Sequence, residues 1–337
     1  MNMNWISKTI PGLAIVLAIA AASAWLGSSF PIVGGAVFGI VIGMLINNTL
    51  GKPPWTQEGT KFASKKVLQW AIILLGAGLS LTQVLETGLD SLSVMIFTLS
   101  AAFISAYTLG KLMGVPIKLT SLIGMGTAIC GGSAIAAISP IIEADEMEVA
   151  YSISTIFLFN VIAVLIFPPL GHLLDFSDQA FGLWAGTAVN DTSSVVAAGY
   201  AFSNAAGDYA TIVKLTRTTM IIPIAFIFAA VIAINKKRQA QSDKSVNYSF
   251  KKIFPWFIVW FLTASLMNTL GILPDDAIHT LKVVGKFMIV VALSAIGLSA
   301  DFKKMMHTGI KPLLLGFLVW FTVAAVSIVV QFATGQI

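Results

Sequence analysis

Two stretches read almost alike: GTAICGGSAIAA at Gly126–Ala137 and GTAVNDTSSVVA at Gly186–Ala197. They align without a gap, with five of twelve positions identical and two more paired as Ile/Val. Each sits in a long, mostly uncharged run, and each is interrupted at the same alignment position. In the first the interruption is Cys130-Gly131-Gly132-Ser133. Adjacent glycines cost a helix about 1 kcal/mol each relative to alanine, and Ser133 behind them is a good N-cap. In the second it is Asn190-Asp191-Thr192-Ser193-Ser194, a dense cluster of capping residues. Both stretches are therefore expected to form broken helices. Each break offers a half-helix N-terminus carrying roughly half a positive charge.

The surroundings of these stretches make them membrane segments. The chain has 337 residues, 57% hydrophobic and only 10% charged, with a mean hydropathy of +0.90. Soluble domains carry about 25% charged residues, so a soluble protein is excluded. Trp25–Leu50, Val67–Leu81 and Met288–Ala300 contain no ionisable side chain. About 20 apolar residues cross a bilayer core as a helix. Eleven segments follow, near 10–27, 30–50, 66–82, 91–113, 119–142, 148–171, 179–202, 209–234, 253–271, 281–300 and 311–333. The expectation is an all-α membrane protein, a polytopic bundle of about 9–11 transmembrane helices with inverted repeats and two discontinuous or re-entrant helices. The chain reads as one integral membrane domain, with repeat halves near 30–171 and 179–333 and the helix at 10–27 extra. That first helix is as long as a span and is followed at once by another, so it reads as uncleaved rather than as a signal peptide.

Further classes fall away. One cysteine builds no internal disulfide framework. No polar stretch is long enough for an extramembrane catalytic domain. The net charge of +5 orients a membrane protein and implies no nucleic acid. Gly126–Ser133 mimics a phosphate-binding loop but has Gly132 where lysine belongs, and it follows no strand, so ATP-driven transport is unsupported. His172, His279 and His307 are scattered without metal-ligand spacing.

Lys52, Lys61, Lys65, Lys66, Lys111, Lys118, the cluster Lys236–Lys252, Lys303, Lys304 and Lys311 fall in alternate loops. Glu86, Asp90, the run Glu143–Glu148 and Asp275–Asp276 fall in the others. The positive-inside rule then places the N-terminus in the cytoplasm and the C-terminus outside. Parity poses a problem. A second likeness, around Gly78–Ser80 and Gly297–Ser299, joins antiparallel segments, as an inverted repeat requires. The 119–142 and 179–202 segments would be parallel if both crossed fully. They become inverted only as re-entrant hairpins, and converting both leaves every basic loop on its predicted side.

Irregular backbone at membrane depth survives only where protein or a water-filled cavity satisfies it. Two half-helix N-termini converging there suit a small anion. Close helix packing is the bland reading of Gly131-Gly132; it explains Asn190-Asp191 poorly, because an ionisable group at that depth is a functional candidate by default. Asp191 reads either as a site for a coupling proton or cation or as a cap. Lys214 and Arg217 lie three residues apart. Counted back from Lys236 they reach the opposite surface, where they either snorkel or line an outer vestibule, Arg217 as a fork for oxyanions with Thr216, Thr218 and Thr219 beside it. Asn160, mid-segment, reads as interhelical glue or a substrate contact. Lys282 and Lys286 read as snorkelling.

GTAICGGSAIAA, GTAVNDTSSVVAAG and VKLTRTTMIIP (Val213–Pro223) together resemble the signature stretches of the YeiH-type sulfate exporter family of bacterial inner membranes, and the likeness covers nearly the whole chain. That resemblance implies a multi-pass secondary carrier with a fold similar to inverted-repeat carriers of the bile-acid symporter type. The expected function is thus a secondary active transporter that moves sulfate or a related sulfur oxyanion or sulfonate by alternating access, in the direction of export. The expected site comprises Cys130, Gly131, Gly132, Ser133, Asn190, Thr192, Ser193, Ser194, Lys214 and Arg217 for substrate, with Asp191 and Asn160 for coupling or gating. No cofactor or metal is expected beyond a coupling proton or cation. The partners are a small anion and the bilayer, and a homo-oligomer is compatible with the sequence. A passive anion channel is the alternative. An intramembrane enzyme using Asp191 or Cys130 lacks a second carboxylate or a Ser/His pair at that depth.

Overall fold

The computed structural model describes residues 3–30, 34–221, 223, 224, 227, 228, 256–301 and 309–337. The described residues are helical and contain no strand. The helices are α1 (Met3–Ser29), α2 (Gly34–Thr49), α3 (Gln57–Phe62), α4 (Leu68–Gly76), α5 (Leu81–Asp90), α6 (Leu92–Leu112), α7 (Ile117–Ala128) and α8 (Gly132–Ile138). They continue with α9 (Glu146–Leu173), α10 (Asp178–Ala188), α11 (Thr192–Phe202), α12 (Asn204–Thr219), α13 (Trp256–Thr269), α14 (Asp275–Gly297) and α15 (Ile310–Ala333). The chain is a polytopic helical membrane protein. Five helices are long and apolar enough to cross a membrane, six with the bent pair Pro54–Gly76 and Leu81–Asp90. The basic cluster at 236–252, Lys303, Lys304 and His307 lie outside the described residues.

Both repeated stretches break at the expected positions, the second on the Asp191 cap, but in the first the N-cap is Gly131, with no side-chain cap, and Ser133 lies inside the restarted helix. The first helix stops at Ala128 and restarts at Gly132; the second stops at Ala188 and restarts at Thr192. Each pair of halves then folds back on itself. Lys118 Nζ donates to Glu143 O at 2.6 Å, and Ser203 Oγ donates to Asp178 Oδ1 at 2.5 Å. A continuous helix would separate the residues of either pair by more than about 35 Å, at 1.5 Å per residue. Phe181 stacks on Phe202 with ring centroids 4.0 Å apart, which closes the base of the second hairpin. The α7–α8 and α10–α11 segments are therefore re-entrant hairpins, and the parity problem is resolved.

Helix α9 connects them. Its start carries a capping box, in which Asp145 Oδ1 accepts from Glu148 N at 2.7 Å and Glu148 Oε2 accepts from Asp145 N at 3.0 Å. At 28 residues it spans about 42 Å, so the two hairpins open toward opposite ends of the molecule. One expectation is corrected here. The run Glu143–Glu148 lies at the same end as Lys118, not opposite it, because the first hairpin returns to the end from which it came.

Other boundaries shift for identifiable reasons. Asp90 and Glu86, expected in a loop, belong to α5. This helix starts after a 108° bend and is capped by Ser80 Oγ, which accepts from Gln83 N at 3.1 Å. The helix expected from 209 begins at Asn204, with Ser203 Oγ accepting from Ala206 N at 2.9 Å. That expected at 281 begins at Asp275.

Two bundles result. Helices α6–α12 and α15 pack around the hairpins, while α1–α4, α13 and α14 pack on one another, α2 against α14 and α4 against α13. The bundles meet where α2 and α14 touch α11. Gly297 makes the α2–α14 approach possible, since a Cβ there would sit 2.2 Å from Ile40 O.

Candidate functional site

The hairpin tips meet near the middle of the molecule. Asn160, halfway along α9, accepts through Oδ1 from Asn190 N at 3.1 Å and from Asp191 N at 3.2 Å. One carboxamide thus holds the second tip by two backbone donors. The first tip turns on Gly131, at φ 66° and ψ −130°. A side chain is strained in that conformation, and a Cβ would also lie 3.3 Å from Asp191 Cβ. Gly132 is different, because an added Cβ would meet nothing within 4 Å. Helix packing therefore does not account for Gly132; it borders open space. Ser133 and Ala136 continue that open flank as exposed residues on a face of small side chains, while Ala134, Ile135, Ala137 and Ile138 are buried.

Asp191 caps α11. Its Oδ2 accepts from Ser193 N at 3.1 Å and from Ser193 Oγ. Thr192, Ser193 and Ser194 are buried behind it, as is Cys130, at 2% exposure, in the first tip.

The two cations sit at the opposite poles of the half-helices. Arg217 Nε donates to Ala128 O at 2.5 Å, Nη2 to Thr127 O at 3.2 Å and Nη1 to Thr187 O. Lys214 Nζ donates to Val189 O at 2.9 Å. These carbonyls close the last turns of α7 and α10, where a helix has no partner of its own for them and carries its negative end. One guanidinium fork therefore ties both hairpins together. Lys214 and Arg217 are both 0% exposed, so neither snorkels and neither lines an outer vestibule. Helix α12 starts at Asn204, which places Lys214 about 15 Å along it and level with the tips. Counting from Lys236 placed it at the surface because that count ignored the helix's other end. Thr216, Thr218 and Thr219 each donate to a carbonyl of α12 itself, at 3.0, 2.8 and 2.7 Å.

The structure thus brings the two breaks, Asn160, Lys214 and Arg217 to one crossing. It adds groups that side-chain chemistry does not announce, namely the carbonyls of Thr127, Ala128, Thr187 and Val189. It also adds an anchor between α10 and α15. Thr187 Oγ1 and Ser327 Oγ are 2.7 Å apart, Gln331 Nε2 donates to Ser327 Oγ at 3.2 Å, and Trp184 Nε1 donates to Ala324 O at 3.1 Å. Ser327 and Gln331, four apart in an apolar run, were the available signal for it. The formal charge at the crossing is two cations against the single Asp191 carboxylate. Among the described residues no group of His, Cys, Asp and Glu could hold a metal ion.

Comparison with known proteins agrees with a membrane protein of this length. A UPF0324 membrane protein of Clostridium tetani is 44% identical over 99% of this chain and 100% of its own length. One from Fusobacterium nucleatum is 47% identical over 94% and 96%, and one from Streptococcus pyogenes serotype M18 is 44% identical over 97% and 98%. The family model described as "Conserved hypothetical protein 698" matches residues 11–316. The chain belongs to that family, whose relatives here carry the name UPF0324 membrane protein.

Proposed function

We propose that this protein is a secondary transporter for a small anion, bound at the open flank of the hairpin crossing. The observation that carries the reading is the charge of the crossing. Lys214 and Arg217 are fully buried on helix C-terminal carbonyls, and Asp191 is the one carboxylate beside them, so the side chains leave one formal positive charge at mid-membrane. Burying an uncompensated charge is costly; an anion arriving at the tips would offset it. The flank at Gly132, Ser133 and Ala136 is uncovered and is the approach assigned here to the anion. At one end the bundles are joined: Lys286 Nζ, on α14, donates to Asn204 Oδ1 at 2.8 Å and lies 5.6 Å from the Tyr200 ring centroid. A contact that joins the bundles at one end and parts as they rock suits alternating access.

The likeness to the YeiH-type sulfate exporters supports sulfate or a related sulfur oxyanion as cargo, export as its direction and the bacterial inner membrane as its location. The basic loops support a cytoplasmic N-terminus. Asp191, already engaged as a cap, is the group to couple a proton or cation to the cycle, with Asn160 holding the tip beside it. Cys130, Gly131–Ser133 and Asn190–Ser194 form the walls of the site.

The test is flux of labelled sulfate and sulfite into proteoliposomes. Gly132→Leu places an isobutyl group in the open space without a packing clash. It is expected to stop flux while the melting temperature stays within about 2 °C of wild type. Undiminished flux in a folded Gly132→Leu protein would remove the site from the crossing.

A further inference from the structure

The charged and carboxamide side chains at the crossing are, with one exception, already engaged. Asn160 holds two backbone donors, Asp191 holds Ser193, Lys214 and Arg217 hold carbonyls, and Thr187 pairs with Ser327. Asn190 is the exception. It is 0% exposed, and both its Nδ2 and its Oδ1 lack a hydrogen-bond partner among the described residues. Thr155 Oγ1, Trp320 Nε1 and Gln331 Oε1 are the other unpartnered buried atoms among the described residues, each a single atom on α9 or α15. Asn190 instead immediately precedes the cap of α11, next to the residue that touches Gly131.

We infer that the Asn190 carboxamide is a ligand contact that selects an oxyanion bearing its own O–H donor over one that only accepts hydrogen bonds. The inference rests on the anion reading above and narrows it. A buried amide presents a donor and an acceptor side by side, and leaving either unmade is costly. A fully deprotonated oxyanion such as sulfate offers acceptors alone. It can satisfy Nδ2 but sets a negative oxygen beside Oδ1. An anion that retains an O–H, as hydrogensulfite, bicarbonate and hydrogenphosphate do, completes both halves of the amide at once. A site that hydrogen-bonds a substrate hydroxyl rejects analogues lacking it, because its own polar atoms are then left unpaired.

The experiment uses the full-length protein in nanodiscs and four anions that separate the hydroxyl from the charge. Bicarbonate is a monoanion with O–H, nitrate a monoanion without, hydrogenphosphate a dianion with O–H and sulfate a dianion without. Affinities are read from thermal shifts near neutral pH. Bicarbonate and hydrogenphosphate are expected to bind about tenfold or more tightly than nitrate and sulfate, the equivalent of one hydrogen bond. Asn190→Leu keeps the number of side-chain heavy atoms and their branching at Cγ and removes both orphaned polar atoms. The empty variant is expected to melt higher than wild type and to lose the preference for O–H-bearing anions. Nitrate and sulfate matching bicarbonate and hydrogenphosphate in wild type would overturn the inference and leave the anion reading standing. So would an unchanged preference in Asn190→Leu, or a lower melting temperature with unchanged binding, which would mark Asn190 as water-bridged structure. Binding of none of the four would overturn both.

Discussion

Replacing Arg217 with lysine keeps the positive charge but removes the fork. Arg217 reaches three carbonyls on two hairpins, Thr127 and Ala128 on one side and Thr187 on the other. A lysine is a single point of charge on a flexible stem and can hold one tip at a time. Two charge-assisted hydrogen bonds are then lost, at about 1.5 kcal/mol each at the low end of their range, so separation of the tips becomes about 3 kcal/mol easier. At 1.4 kcal/mol per factor of ten, the open population rises by about a hundredfold. The protein carries its own reporter, because Cys130 is its one cysteine and lies in the first tip at 2% exposure. The rate at which a fluorogenic maleimide modifies Cys130 in detergent, well below the melting temperature, reads how often the crossing opens. Arg217→Lys is expected to raise that rate about a hundredfold, and Arg217→Met at least as much. A rise of less than about threefold in both would mean that the guanidinium does not hold the hairpins together.

Three further outcomes follow from the same geometry. Gly131→Ala, strained at its positive φ and pressed on Asp191, should cost about 1–2 kcal/mol, whereas Gly132→Ala, facing open space, should stay within about 0.5 kcal/mol; equal losses in denaturation of the two variants would contradict the different roles assigned to them. Asn160→Leu leaves the Asn190 and Asp191 N–H groups unpaired, at about 1–3 kcal/mol each, and should lower the melting temperature and raise Cys130 reactivity together; a stability loss with Cys130 still protected would place the damage elsewhere. Cysteines replacing Lys286 and Asn204 in a Cys130→Ala background, joined by a short bifunctional maleimide, should stop anion flux by holding the two bundles together. Full flux after complete cross-linking would show that this contact does not open during transport.

Much of this was legible in the sequence, and the misses have physical causes. The breaks at Gly131-Gly132 and Asn190-Asp191 were readable because helix-breaking and capping chemistry is local. Whether the broken segments cross or return was not, since converting both leaves every basic loop on its side; it took the contacts Lys118–Glu143 and Ser203–Asp178 to decide. Lys214 and Arg217 were recognised as exceptional but placed at the wrong depth, because α12 begins at Asn204, earlier than its apolar run suggests. Their partners are backbone carbonyls, which no side-chain pattern reveals. Helix α5 was missed because its Glu86 and Asp90 read as loop charges, although both lie on an exposed face of a helix that buries Val84, Thr87 and Gly88.

Two re-entrant hairpins that enter from opposite ends and meet at their tips define this topology. Single cysteines at the exposed positions Lys118, Glu143, Gln179 and Ala205, in a Cys130→Ala background, test it directly in sealed vesicles of known orientation with a membrane-impermeant maleimide. The account predicts that Lys118→Cys and Glu143→Cys label from one face, and that Gln179→Cys and Ala205→Cys label from the other. Labelling of Lys118→Cys and Glu143→Cys from opposite faces would contradict it.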